Sequence, residues 1–80
     1  MHEHHLLKDL LSDLLKAAHA HQTKKVTHVY LRMGEFTEIN PEILLYFFKE
    51  NTKGTCAEAA QVHVEKSKKR ELALVSFDCE

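Results

Sequence analysis

Three histidines stand within the first five residues, next to the amine of Met1. The Met1 amine, the His2 backbone amide and the His2 imidazole together supply nitrogen donors that can form fused chelate rings. Nitrogen-rich, square-planar donor sets suit Ni(II) and Cu(II), whereas tetrahedral thiolate sets suit zinc. Metal competes with protons for these groups, so the chelate would bind better as the pH rises. A metal site, a tag remnant and a solvated helix start are the three interpretations that the cluster leaves open.

Four further histidines lie deeper in the chain. His19 and His21 fall near the end of the first predicted helix, where the negative end of the helix dipole favours a partly protonated imidazole, and we expect them to cap that end. His28 and His63 fall on outward positions of two predicted strands. They could meet across the sheet if those strands are neighbours, but two separately solvated side chains are the interpretation that we favour.

Apolar periodicity predicts two helices. Paired leucines at helical spacing predict a first helix that starts after MHEHH and ends near His21. The second helix has a strong start, since Asn40 suits the N-cap, Pro41 the first helical position and Glu42 the positive end of the dipole. Its predicted core stripe comprises Ile43, Leu44, Phe47 and Phe48.

Three strands complete the predicted fold. VTHVYLRM (Val26–Met33) alternates apolar and polar residues, as do residues 61–65. Residues 66–70 are predicted to form a turn and residues 71–78 a final strand. The last two strands are closely joined, so we expect an antiparallel hairpin, while the helix between the first two predicts a right-handed parallel crossover. Residues 1–80 therefore predict one α+β domain, a two-layer sandwich of two helices on a three-stranded mixed sheet in the order α-β-α-β-β.

Composition excludes several classes of function. Eleven basic and twelve acidic residues give a formal charge of −1, so no basic face is offered to nucleic acid. No apolar run approaches the roughly 20 residues that a membrane span needs. The chain lacks a Ser/His/Asp set, a phosphate-binding glycine loop and an H-E-x-x-H motif, so we do not expect an enzyme.

Cys56 and Cys79 are the only cysteines, and they form no C-x-x-C pair. Neither a structural zinc site nor a disulfide framework is therefore expected. Two free thiols fit a reducing compartment, and the N-terminus lacks the pattern of a secretory signal. We predict a cytoplasmic protein.

Four stretches of the chain together resemble one known family. They are Met1-His2-Glu3, the first strand with its Gly34-Glu35 ending, the helix start Asn40-Pro41-Glu42, and GTCAEAA at residues 54–60. In order and spacing they are similar to the HypA/HybF family of hydrogenase maturation factors, which are nickel metallochaperones. The strand resembles the family pattern V-x-x-V-x-L-x-I-G-E, and residues 54–60 resemble G-T-x-A-E-G-A.

The resemblance implies a nickel carrier. It implies that the Met1 amine and His2 ligate Ni(II) and that Glu3 supports the site, with the ion passed to a maturation GTPase or to the hydrogenase large subunit. His4 and His5 depart from the family, which commonly has an aromatic or apolar residue and then Ser or Ala there. His5 is a candidate for an additional or alternative ligand, because His2 and His5 would share a helix face at i, i+3.

One departure concerns zinc. The family carries a zinc module with two C-x-x-C pairs after the second strand, followed by a return strand that residues 70–78 (RELALVSFD) resemble. Here the turn at residues 66–70 stands in place of that module, so no zinc is expected.

The alternative function is a related protein-interaction or regulatory module that kept the fold without metal delivery. A homodimer would be one way to cover an edge strand of so small a sheet.

Overall fold

The computed structural model describes residues 4–35 and 39–80, and for His4 the backbone alone. Along the chain lie α1 (His4–Ala20), β1 (Val26–Met33), α2 (Pro41–Asn51), β2 (Gln61–Lys66) and β3 (Leu72–Cys79). The predicted order α-β-α-β-β and the α+β class, with two helices and a three-stranded mixed sheet, are confirmed. No helix among these residues is both long and apolar enough to cross a lipid bilayer.

The leucine stripe of α1 forms one side of the core. Leu7, Leu10 and Leu14 are at most 4% exposed, which fixes the helix from its second turn onward. The helix ends in a Schellman motif, in which Thr23 N donates to Ala18 O at 3.0 Å and Gln22 N donates to His19 O at 3.0 Å. Gln22 takes the left-handed conformation that this motif requires (φ 55°). The described hydrogen bonds that cap the end of α1 are thus made by backbone groups, and His19 contributes its carbonyl oxygen.

The start of α2 is as predicted. Asn40 has extended backbone angles, and its Oδ1 accepts a hydrogen bond from Ile43 N at 2.8 Å. Leu44 and Phe48, one turn apart, are buried, and Phe47 is half-buried against them. Ile43 was predicted in this stripe but is 37% exposed, because the helix presents only a narrow face to the core.

The strand order corrects one prediction. β1 lies in the centre, parallel to β2 and antiparallel to β3, in the order β2-β1-β3. The parallel crossover is confirmed, and the predicted β2–β3 hairpin is wrong, because these strands lie on opposite sides of β1. The physical reason is burial: Val26, Val29, Leu31 and Met33 of β1 are at most 4% exposed, and a hairpin order would leave this strand at an edge.

The connection between β2 and β3 crosses the carboxyl end of β1. Ser67 N donates to Met33 O at 3.0 Å, and Gly34 N donates to Glu71 O at 2.7 Å. A Cβ at Gly34 would overlap the carbonyl group of Lys69, lying 2.7 Å from its carbon. Gly34 therefore both ends β1 and makes room for the crossing chain.

One face of the sheet is packed and the other carries polar side chains. The inward residues of β1 join the leucines of α1 and the buried residues of α2 in one core, against which Val62 and Val64 pack, as predicted for β2. The opposite face, here called the outer face, presents His28, Tyr30 and Arg32 of β1.

Candidate metal centre

The predicted terminal ligands are only partly within the described chain. Met1, His2 and Glu3 lie outside the described residues and immediately precede α1 in sequence. His5 lies in the first turn of α1, with an exposed side chain. Leu7, two residues after His5, is 1% exposed, so its packing in the core fixes α1 from this residue onward.

The start of α1 has an electrostatic consequence for a metal. None of the residues in its first turn is acidic, and Glu3 immediately precedes that turn in sequence. The positive end of the helix dipole by itself disfavours a bare dication there. Ligation by an ionised amide nitrogen adds negative charge to the complex and lowers that cost.

Within residues 4–35 and 39–80, no group of three or more His, Cys, Asp or Glu side chains is placed to hold a metal ion. Both cysteines are free, Cys56 half-buried and Cys79 exposed. Their backbones flank β1 from opposite sides, since Val26 N donates to Cys56 O at 2.8 Å and Val26 is the register partner of Cys79 on β3.

The structure brings His28 and His63 together on the outer face. His28 Nδ1 and His63 Nε2 are 3.1 Å apart, within hydrogen-bond distance. The expectation of two separately solvated histidines is thus wrong for this pair, because β1 and β2 are neighbours and Tyr30 is in register with His63.

Tyr30 extends this contact into a cluster of three rings. Its ring centroid lies 5.0 Å from that of His63 and 6.2 Å from that of His28, with interplanar angles of 14° and 22°. Tyr30 Oη donates to Asp78 Oδ2 at 2.9 Å. These four residues, His28, Tyr30, His63 and Asp78, are here called the outer-face cluster.

The sequence prediction missed Asp78 as a partner in this cluster. The carboxylate reaches Tyr30 only because β3 pairs with β1, where Asp78 is the register partner of His28. Residues 71–78 were predicted as a strand, but the mistaken β2–β3 pairing assigned that strand the wrong neighbour. A strand order with β1 in the centre, so that both of its edges are paired, would have predicted the contact between Tyr30 and Asp78.

The hydrogen bond to Asp78, with smaller contributions from desolvation and from the negative charge of the carboxylate, raises the pKa of Tyr30 above 10.0. The neutral phenol is thus favoured on folding, so its stabilisation is present below the unfolded pKa and is lost as the pH rises through the folded pKa.

In a Tyr46→Phe background, Tyr30 is the one remaining tyrosine. We expect a phenolate absorbance titration to give a pKa above 10, and Asp78→Ala to lower it toward the value in denaturant. Equal values with and without Asp78 would contradict the assigned cause.

Comparison with known proteins decides the family. Residues 1–76 match the family model described as hydrogenase/urease nickel incorporation, metallochaperone, hypA. The chain belongs to the HypA family. This is a family of metallochaperones and not of enzymes, so the expectation that the chain is not an enzyme is confirmed.

Individual HypA relatives agree with this assignment. The hydrogenase maturation factor HypA of Archaeoglobus fulgidus is 39% identical over 64 residues, which cover 80% of this chain and 58% of the relative. That of Methanosarcina acetivorans is 35% identical over 65 residues, covering 81% and 49%. The chain therefore spans about half the length of the curated HypA proteins that it matches.

The fold agrees with that of a solved HypA structure. The solution structure of the Ni metallochaperone HypA from Helicobacter pylori superposes with a TM-score of 0.77 at 15% identity, covering 99% of this chain and 97% of that one. At this identity the likeness concerns the fold.

Proposed function

We propose that this HypA-family chain holds Ni(II) at its N-terminus and passes the ion to a partner in [NiFe]-hydrogenase maturation. The proposed ligands are the Met1 amine and the amide and imidazole nitrogens of His2, with Glu3 in support and His5 as an additional or alternative ligand. One observation carries the proposal: the HypA match starts at residue 1 and so includes Met1-His2-Glu3.

The setting of the site suits a carrier. Chain termini are in general accessible to partners, and α1 is held by buried leucines that begin at Leu7. A nitrogen-rich set that includes an ionised amide selects Ni(II) or Cu(II) over harder cations. The proposed acceptor is a maturation GTPase or the hydrogenase large subunit.

We also propose that this chain holds no structural zinc. Structural zinc sites use four Cys or His ligands, and the chain has two cysteines in no C-x-x-C pair. In this proposal residues 1–80 form one domain, and the segment that crosses Gly34 replaces the zinc module. The cytoplasmic location stays a prediction.

The first test blocks the terminal amine. Protein with a free Met1 amine should bind one equivalent of Ni(II) tightly at neutral pH and develop the absorption band of square-planar Ni(II). Protein with an acetylated Met1 should lose that band, because acetylation removes the amine as a ligand. An unchanged band in the acetylated protein would exclude the terminal chelate.

The second candidate function, a protein-interaction module, is favoured by exposed apolar side chains on α2. Ile43, Leu45 and Tyr46 are 37%, 41% and 69% exposed. The protein with a blocked Met1 amine separates the two functions, because it would still capture a partner if the apolar surface of α2 alone mattered.

Homodimerisation through an edge strand stays a prediction, which sedimentation of the metal-free protein would test.

A further inference from the structure

We propose that His28 and His63 form a second metal site on the outer face of the sheet, separate from the terminal chelate. The site would take one divalent ion of the group that imidazole prefers, such as Ni(II), Cu(II) or Zn(II). His28 Nδ1 and His63 Nε2 would be adjacent ligands of that ion. Neither residue belongs to the set proposed for the terminus.

The separation of the two nitrogen atoms fits this role. Two imidazole nitrogens bound at about 2.1 Å and at right angles lie about 3.0 Å apart. In the structure His28 Nδ1 and His63 Nε2 are 3.1 Å apart. Binding therefore needs rotation of the two rings toward a common point but no change in the spacing of the strands.

The strands hold the pair in place. β1 and β2 are paired along six register positions, and Val29 and Leu31 beside the cluster are at most 1% exposed. The Tyr30 ring lies parallel to that of His63, and Tyr30 is in turn held by its hydrogen bond to Asp78. This stacking keeps the His63 ring beside that of His28 on the outer face.

Charge around the pair favours a cation. On the outer face the Arg32 guanidinium is paired with Glu65, with Nε and Oε2 3.3 Å apart. The Asp78 carboxylate at Tyr30 adds a negative charge beside the rings. Because protons compete with metal for both imidazoles, binding should weaken as the pH falls.

The site offers two protein ligands. In the described chain no third His, Cys, Asp or Glu joins them, so water would complete the coordination. The water positions can be exchanged for a donor from a partner protein. The site should thus bind nickel more weakly than the terminal chelate.

The test uses a chain whose terminal chelate has been removed by acetylating Met1 and replacing His2 and His5 with alanine. NMR of this protein during titration with Ni(II) should show broadening centred on the rings of His28 and His63. In the same background His28→Gln and His63→Gln should each weaken the binding by at least about tenfold. His19→Gln, at an exposed histidine on α1, is the matched control and should leave binding unchanged.

A second readout is thermal. An ion that binds only the folded sheet should raise the Tm of the chelate-free parent and of His19→Gln, but not that of either cluster variant. Circular dichroism in the absence of metal confirms that the variants fold. The proposal is overturned if either cluster variant binds like the parent, if the control loses binding equally, or if one ion bridges two chains. If Ni(II) binds at the His28–His63 pair and not at the terminus, the proposed terminal chelate fails. If Ni(II) binds at the terminus and not at the pair, the second site fails.

Discussion

Replacing His2 with alanine should weaken Ni(II) binding at the N-terminus by at least about a hundredfold, since even indirect partners of a metal ligand are worth roughly 10–100-fold. The imidazole closes one of the chelate rings, so its loss leaves the Met1 amine and the backbone amide with too few donors. Stability should be unaffected, because the described core starts at Leu7. Competition with a chromophoric chelator at several pH values would measure the affinity.

His5→Ala tests the proposed additional or alternative ligand beside this variant. It removes an exposed imidazole from the first turn of α1. If His5 supplements the site, the loss should be at most about tenfold, well below that of His2→Ala. The parent affinity should rise with pH, because amine, amide and imidazole must lose protons to bind. Equal Ni(II) affinity in His2→Ala and the parent would refute the terminal chelate.

The predictions that succeeded rest on local chemistry. The N-cap of α2 depends on Asn40 and on the three residues that follow it, so the sequence pattern was sufficient. The leucine stripe of α1 likewise reports a single helix face, and its burial was as expected. Such features are decided within one or two turns of chain.

The order of the strands depends on contacts between distant segments. A short connection favours a hairpin between β2 and β3, but burying both sides of β1 separates them. The periodicity of each strand is the same in either arrangement, so it could not decide between them.

The same limit applies to the candidate sites. The terminal ligands were predicted through the resemblance at Met1-His2-Glu3, and the pairing of His28 with His63 could be stated only as a condition on strand order. The Tyr30–Asp78 bond was missed, since it depends on the β1–β3 register, which shifts between Tyr30 and Leu31.

Gly34→Ala should destabilise the fold by about 1.5–4.5 kcal/mol, through overlap worth about 1–3 kcal/mol and loss of a hydrogen bond worth about 0.5–1.5 kcal/mol. The added methyl group would overlap the backbone of Lys69, which cannot move aside as a flexible side chain could. The crossing segment must shift, and the 2.7 Å bond from Gly34 N to Glu71 O would be lost. For a domain of this size, we expect the Tm to fall by roughly 10–25 °C.

Gly54→Ala is the control for this substitution. Gly54 has a φ of +79°, and a Cβ added there meets nothing within 4 Å, so its cost should be the left-handed strain of about 1–2 kcal/mol. Hydrogen exchange separates the two effects, because only Gly34→Ala should expose the amides of Gly34 and Ser67, which tie the crossing segment to β1. If both amides stay protected and the two variants cost the same, the crossing is not held by close packing at Gly34. Loss of protection in Gly34→Ala alone would mean that the chain can pass from β2 to the far side of β1 because residue 34 has no side chain. That passage places β3 beside β1, in the register that brings Asp78 to Tyr30.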